Sequence, residues 1–452
     1  MVRLALLLLG ADAVRRHWRS FAAFGLAWGA LGIGIFVDGL DNVPYFPIHT
    51  FAYLLLVDAA IALLLAPVGL GAQKWLRLVR GLSLVVISLL ILDTHRASNI
   101  ILAMLFGLGL VLDAGLRIAS AIVVRFPGWR LVIAAAVVEL LLAVFVLEPW
   151  PTWYAGTVEL CVSIALMLSA WAILRLALRM RRLPEHVLLP QLLTRGGVGI
   201  AVPAADPGHD SVEPTGPLIV HVWTPFGSAK EPIHRPIIDR YIAAVDGKGV
   251  ISTGHSALEM PPDLYISHYP AVEIDHSPDE FGRILRATAE NDVPGRFQPS
   301  YAEEAAGWCE SNTKVVFRDY DPARLRAFWD GYSRDNTYNL TNRNCSSTVA
   351  HALEVALEGV LGRRRSRMAV LRMIVSSELW IASQLRRRAE TMAWTPGLVL
   401  DYARALNGIV HPPPAPWQVL GRASRHLSRR LWPRHPKASR SRADAGPADL
   451  EG

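Results

Sequence analysis

The feature that most constrains this 452-residue chain is a series of six long apolar segments, all before residue 180. They cover residues 21–37, 51–70, 76–92, 100–118, 131–147 and 155–178. A helix of about 17 to 25 apolar residues can cross a hydrocarbon layer of about 30 Å, and a spanning helix bonds all its backbone polar groups internally. Residues 1–182 are therefore predicted to form a six-helix membrane domain.

Lys and Arg residues are concentrated in alternate connections between these segments. Arg96 is the one Lys or Arg residue in the connections 38–50, 93–99 and 148–154. The other connections and both flanks are rich in Arg. Positively charged loops remain in the cytoplasm. The pattern predicts a multi-pass protein of the bacterial inner membrane, with both termini and the soluble part in the cytoplasm. Residues 1–20 are interpreted as a cytoplasmic leader, because their apolar run is short for a signal peptide.

A short pattern recurs at nearly equal spacing on alternate segments, centred on Asp58, Asp113 and Ser169. Three similar helical hairpins are the simplest explanation. This half resembles the HdeD family of small bacterial membrane proteins, a likeness that implies a fold and no particular activity. Asp58 and Glu139 lie inside predicted spans, and two interpretations stay open: bonding within the bundle, or an ion or proton path.

The composition changes after residue 182, where most of the acidic residues are found. Residues 183–217 are rich in Pro, Gly and Ala and are predicted to be a linker. Strand patterns at 218–223, 249–259, 263–273 and 313–319 alternate with helix patterns at 236–245, 277–290, 321–332 and 344–358, which predicts a mixed α+β domain over 218–360. Residues 361–410 are predicted to be a helical extension, with 368–385 a surface or domain helix, and 411–452 a basic disordered tail.

Two motifs in the soluble part carry residues suited to nucleophilic catalysis. His255 follows Gly254 on a predicted strand, and Cys345 follows Asn344 at the point where a polar turn enters a helix. The positive end of a helix favours the thiolate, and its free N–H groups can bind an oxyanion. A histidine on a neighbouring strand can accept the thiol proton. The sequence therefore predicts a lowered pKa for the Cys345 thiol, paired with His255.

These motifs resemble a circularly permuted papain-like domain, the group that includes lecithin:retinol acyltransferase-like proteins and is related to the NlpC-type peptidases. The likeness covers residues 218–360, with His255 before Cys345 in the chain as in the permuted branch. It implies that Cys345 is the nucleophile, His255 the general base and His268 a second, orienting histidine. In acyltransferase-like members the pair Asn-Cys opens the helix, as Asn344-Cys345 does here, but their usual Glu-His continuation is replaced by serines.

The sequence thus predicts a membrane-anchored cysteine hydrolase or acyltransferase acting on an amide or ester of a protein, peptide or lipid at the cytoplasmic membrane face. The alternatives are a non-enzymatic stress-response or sensor protein whose papain-like domain only binds, and a transporter. Cys161, Cys309 and Cys345 are too few for a disulfide framework, so a reducing compartment is expected. Metal-ligand spacings, phosphate loops and a basic aromatic platform are missing from the sequence, so no metal, cofactor or nucleic-acid partner is predicted. Self-association through the membrane helices stays open.

Overall fold

The computed structural model describes residues 1–11, 15, 17–40, 47–66, 72–93, 95–148, 156–181, 214–224, 244–245, 251–252, 254–272, 274, 281–363, 370, 372–373 and 376–412. Its helices before residue 182 are α1 Val2–Leu9, α2 Trp18–Asp38, α3 Ile48–Leu65, α4 Ala72–Leu92, α5 Arg96–Val124, α6 Trp129–Leu147 and α7 Thr157–Arg181. By length and composition, α2, α4, α5, α6 and α7 can each cross a membrane, and α3 is a shorter apolar helix. The chain is a multi-pass membrane protein.

The apolar helices pack as pairs, two of which are hairpins of consecutive helices. Helix α3 packs against α4 and α5 against α6, while α2 packs against α7 and so joins the first and last helices of the series. Small residues allow the α2–α7 contact to be close: a Cβ atom on Gly32 would lie 2.9 Å from the Met167 side chain. Close backbone approach at glycine is a common basis for helix packing in lipid.

Two acidic residues of this bundle, Asp58 and Glu139, have an arginine partner on a neighbouring helix. Asp58 of α3 accepts a hydrogen bond of 2.6 Å from Arg80 of α4. Glu139 of α6 lies 3.3 Å from Arg117 of α5, which also pairs with Asp113. Paired charges cost far less in an apolar environment than isolated ones. These contacts support bonding within the bundle as the role of Asp58 and Glu139.

An α+β part follows the apolar helices. Its strands are β1 Leu218–Trp223, β2 Ala244–Val245, β3 Ile251–Ser252, β4 His255–Met260, β5 Leu264–Ile266, β6 His268–Pro270, β7 Val293–Phe297, β8 Thr313–Phe317 and β9 Thr337–Tyr338. Its helices are α8 Phe281–Ile284, α9 Tyr301–Gly307, α10 Pro322–Tyr332, α11 Cys345–Leu357, α12 Val360–Arg363, α13 Ser377–Thr391 and α14 Pro396–Val410. The predicted mixed α+β domain is therefore present.

One predicted helix is shorter than expected. Within the pattern at 277–290, residues 277–280 lie outside the described residues, and α8 is followed only by a 3-10 turn at Ala289–Asn291. The backbone between them bonds elsewhere: Ala287 N–H donates to the Val124 carbonyl, and the Leu285 carbonyl accepts from Thr341. Tertiary bonds thus replace helical ones. Most of the predicted helix at 236–245, the linker at 183–213 and the tail after residue 412 also lie outside the described residues.

The central sheet is antiparallel, with strand order β5-β4-β1-β8. Successive strand residues point to opposite faces. Val220, Leu258 and Phe317 belong to the apolar core together with α11 and α14, and we call this side the α11 face. Trp223 and Ala257 pack against Tyr301 of α9 on the other side, the α9 face.

The N-terminal helix is part of the α+β domain. Leu4, Leu6, Leu7 and Leu8 are buried in the same core as α11, α13 and α14. The Gly359 N–H donates to the Leu7 carbonyl at 2.9 Å, and Gly359 and Gly10 both have positive φ where their backbones meet. Helix α1, the first part of the segment interpreted as a leader, thus packs as an element of the α+β domain.

Helix α13 joins this domain to the apolar helices. Its inner side is buried, and Arg386 makes hydrogen bonds of 2.7 and 3.1 Å to Glu354 of α11. Its outer side contacts α4 and α5, where Glu378 forms an ion pair with Arg77 and Trp380 lies under the Arg80 guanidinium, 5.4 Å away. The segment predicted at 368–385 as a surface or domain helix thus contributes a domain helix that faces the bundle.

Candidate functional site

Cys345 is the first residue of α11, as the sequence predicts. The Asn344 side chain accepts a hydrogen bond from the Ser347 N–H at 2.7 Å, and the Ser347 hydroxyl accepts from the Asn344 N–H at 2.8 Å. This reciprocal capping box satisfies two donors and sets the start of the helix. The Asn344 amide also donates to the Trp394 carbonyl at 3.0 Å, which holds the cap against the segment after α13.

The Cys345 thiol is buried among hydroxyl groups. Its residue is 8% exposed, and Sγ lies 3.7 Å from the Ser346 hydroxyl. Burial raises the pKa of the thiol, and the polar groups of Ser346 and Ser256 offset only part of this effect. The direction is opposite to the sequence prediction, because loss of hydration disfavours the thiolate more than the helix end favours it.

His255 is held by a buried carboxylate on the α9 face. Its Nε2 atom lies 2.9 Å from the Ser267 hydroxyl and 3.3 Å from Glu304, and Tyr269 stacks on the ring with centroids 4.0 Å apart. The Ser267 hydroxyl donates to Glu304 at 2.7 Å, so it accepts the Nε2 proton. Nδ1 is then the basic nitrogen, and it has no hydrogen bond within the part of the chain that the structure describes.

Glu304 is a site residue that the sequence predictions missed. Its carboxylate is buried and accepts hydrogen bonds from the hydroxyls of Tyr265 (2.8 Å), Ser267 (2.7 Å) and Tyr269 (2.8 Å). A signal exists in the sequence, because Glu304 lies three residues after Tyr301 and so shares the inward side of a short helix. Ser300 caps that helix.

Opposing effects act on the His255 imidazole. Burial lowers its pKa to about 3, and repulsion from His268 acts in the same direction. The Glu304 carboxylate, 3.3 Å away, favours the protonated ring. The ring is neutral at pH 7, as a general base must be before it accepts a proton.

The structure does not join Cys345 to His255 directly. Strand alternation turns the next residue, Ser256, toward α11, where its hydroxyl lies 3.1 Å from that of Ser346. His255 therefore faces α9. Among the described residues, the thiol has no hydrogen bond to a histidine. The residues that follow the nucleophile and the base, Ser346 and Ser256, are thus in contact.

His268 reaches the Cys345 helix through two hydroxyl groups. Its Nδ1 atom lies 3.2 Å from the Tyr332 hydroxyl, which in turn is 2.7 Å from the Thr348 hydroxyl in the first turn of α11. Burial lowers the pKa of His268 to about 4. The structure thus brings together His268 and α11, and separately His255 and Glu304.

Within the described ranges, no group of three or more His, Cys, Asp or Glu side chains is arranged to hold a metal ion. The three cysteines are free thiols, and Cys309 is exposed. No family model, curated protein or solved structure matches the chain. What is shown is therefore a membrane protein with five membrane-length apolar helices followed by an α+β domain, with no family identified.

Proposed function

We propose that the α+β domain is a cysteine-dependent hydrolase or acyltransferase, held at the membrane face by the apolar helices and acting on an amide or ester. Cys345 is the nucleophile and His255 the general base. His268 is a positioning residue, because it supports the first turn of α11 through Tyr332. The sequence resemblance to permuted papain-like domains motivates these roles.

One observation carries the proposal: the buried chain from His255 through Ser267 to Glu304. A buried carboxylate is costly unless several donors satisfy it, and three hydroxyls do so here. The arrangement fixes the tautomer of His255 with Nδ1 as acceptor, and it stabilises the imidazolium that forms when Nδ1 takes a proton. A histidine oriented in this way is suited to accept the proton of a cysteine at a helix N-terminus.

The chemistry uses a neutral resting pair. Sγ of Cys345 attacks the substrate carbonyl carbon as its proton passes to Nδ1 of His255, and the N–H groups at the start of α11 bind the oxyanion. The imidazolium then protonates the leaving amine or alcohol, and water or a second acceptor takes the acyl group from the thioester. Because thiol and imidazole are not bonded in the described state, substrate binding has to bring them together.

The proposal is tested by trapping the thioester. The full-length protein in detergent is incubated with p-nitrophenyl esters of different chain length, and acylated peptides are located by mass spectrometry. Acylation of Cys345 is expected, with loss in Cys345→Ala and a fall of about 100-fold or more in His255→Gln. Glu304→Gln lowers the rate less, and Cys309→Ala leaves it unchanged. Equal acylation of Cys345 and Cys309, insensitive to His255→Gln, contradicts the proposal.

A second candidate is a domain that binds a membrane or protein ligand without catalysis. The observation that favours it is the burial of Cys345 together with the raised pKa of its thiol. On this account Cys345→Ala changes neither binding nor stability appreciably. The acylation experiment separates the two candidates, because a binding domain gives no thioester with any ester.

A further inference from the structure

A second chain of hydrogen bonds on the α9 face links a serine, a histidine and a carboxylate. The Ser311 hydroxyl lies 3.0 Å from Nδ1 of His221, and Nε2 of the same ring lies 2.9 Å from Glu259. His221 is on β1 and Glu259 on β4, and both point to the α9 face. Ser311 lies in the connection between α9 and β8. None of these three residues takes part in the Cys345 site.

The carboxylate fixes the protonation of the ring. An ionised carboxylate only accepts hydrogen bonds, so Nε2 of His221 carries the proton that Glu259 binds. Nδ1 is then the acceptor for the Ser311 hydroxyl. Tyr301 stacks on the His221 ring at 4.0 Å between centroids and holds its plane. A serine whose proton faces a neutral imidazole, itself oriented by a carboxylate, has the arrangement of an activated nucleophile.

The surroundings of Ser311 supply an oxyanion donor and an apolar surface. The Tyr301 hydroxyl accepts the Ser311 N–H at 3.2 Å and lies 3.3 Å from the Ser311 hydroxyl, so its own proton points to Ser311 Oγ in the resting site and can turn to an oxyanion that forms there. Ser311 is partly exposed, whereas His221 is buried. Trp308 is 56% exposed and stacks on Trp223 at 5.7 Å, which provides an aromatic surface three residues from the serine.

We propose that Ser311, His221 and Glu259 form a second nucleophilic site, which takes carboxylic esters with an apolar acyl or aryl group. The Ser311 oxygen forms a bond to the ester carbonyl carbon while its proton moves to Nδ1 of His221. Glu259 stabilises the imidazolium. The leaving alcohol departs with the proton from Nδ1, and water then hydrolyses the acyl-serine and returns a proton to Ser311. No oxidant, metal or further reactant enters the sequence of steps.

The experiment uses a fluorophosphonate probe on the full-length protein in detergent, with the modified serine located by mass spectrometry. Cys345→Ala is the background, so that thiol chemistry does not contribute. We expect labelling of Ser311, its loss in Ser311→Ala, and a fall of at least about tenfold in His221→Gln, since a positioned base contributes about 100-fold or more. Ser333, a partly exposed serine after α10, is the matched comparison and stays unlabelled.

Glu259→Gln provides a second variant, because His221 is buried and its replacement can unfold the domain. This carboxylate is partly exposed, and its loss is expected to reduce Ser311 labelling while thermal unfolding stays close to that of the parent protein. Labelling of Ser311 no faster than that of Ser333, or unchanged in Glu259→Gln with the fold intact, overturns the proposal. Thioester formation at Cys345 is measured separately in Ser311→Ala, so failure of one site is distinguishable from failure of the other.

Discussion

The two faces of the central sheet are built from the same strands but have different chemistry. The α11 face is apolar and packs against the buried helix α11, whose first residue is Cys345. The α9 face carries His221 and His255, each with a carboxylate within 3.3 Å and each stacked on a tyrosine ring. The two faces differ because successive strand residues point to opposite sides of the sheet. This alternation separates hydrophobic packing from acid–base chemistry. Ser256 and Ser346 form a polar contact on the apolar side.

The alternation of apolar and polar residues in the strands already indicates this separation of the two faces. In β4 the alternate residues Leu258 and Met260 are apolar and enter the core, which leaves His255 on the opposite face. What sequence could not supply is the position of Glu304, because α9 reaches the sheet only through tertiary packing of a helix of seven residues.

The membrane helices were more predictable than the site, because length and hydropathy act locally along the chain. The starts of α10 and α11 were equally predictable from the sequence, because the side chains of Asp321 and Asn344 cap these helices. The role of α1 could not be predicted from the sequence. Its burial against α11 and α13 depends on a contact between the two ends of the chain, and nothing in residues 2–9 records that partner.

The largest expected effect on stability comes from the apolar face. Leu258→Ala removes a side chain that is 1% exposed, and the lost burial and the cavity lower the free energy of unfolding by about 2–5 kcal/mol. Val316→Ala is the control, because Val316 lies on the α9 side of β8 and is 43% exposed; we expect less than about 1 kcal/mol. Denaturant unfolding of the full chain in detergent measures both. Similar losses of unfolding free energy in the two variants would show that the two faces do not differ in packing.

Acid should destabilise the domain through its buried histidines. Burial lowers the pKa of His255 to about 3 and of His268 to about 4, so the folded protein binds fewer protons than the unfolded chain below pH 6.5. Stability is therefore complete above pH 6.5 and falls as the pH drops toward these values. Each histidine contributes a loss of about 1–2 kcal/mol between pH 6.5 and 5. Unfolding at both pH values, with His255→Gln as the variant that flattens the dependence, checks this.

A smaller effect is expected at the contact between Ser256 and Ser346. Ser256→Ala leaves a buried hydroxyl without its partner and lowers the free energy of unfolding by about 1 kcal/mol. Ser333→Ala, which removes a hydroxyl from the exposed end of α10, is expected to cost less than about 0.5 kcal/mol. Equal losses in the two variants would show that the hydroxyl contact adds nothing to stability.

The state of the Cys345 thiol tests the account most directly. The full-length protein is treated with iodoacetamide from pH 6 to pH 9, and labelling of Cys345 and of the exposed Cys309 is followed by mass spectrometry. Because burial raises the pKa of Cys345 and shields its sulfur, we predict labelling at least about tenfold slower than at Cys309, rising with pH across the whole range. Rapid labelling of Cys345 at pH 6–7 that is lost in His255→Gln would contradict the account, since it would require a thiolate–imidazolium pair in the resting protein.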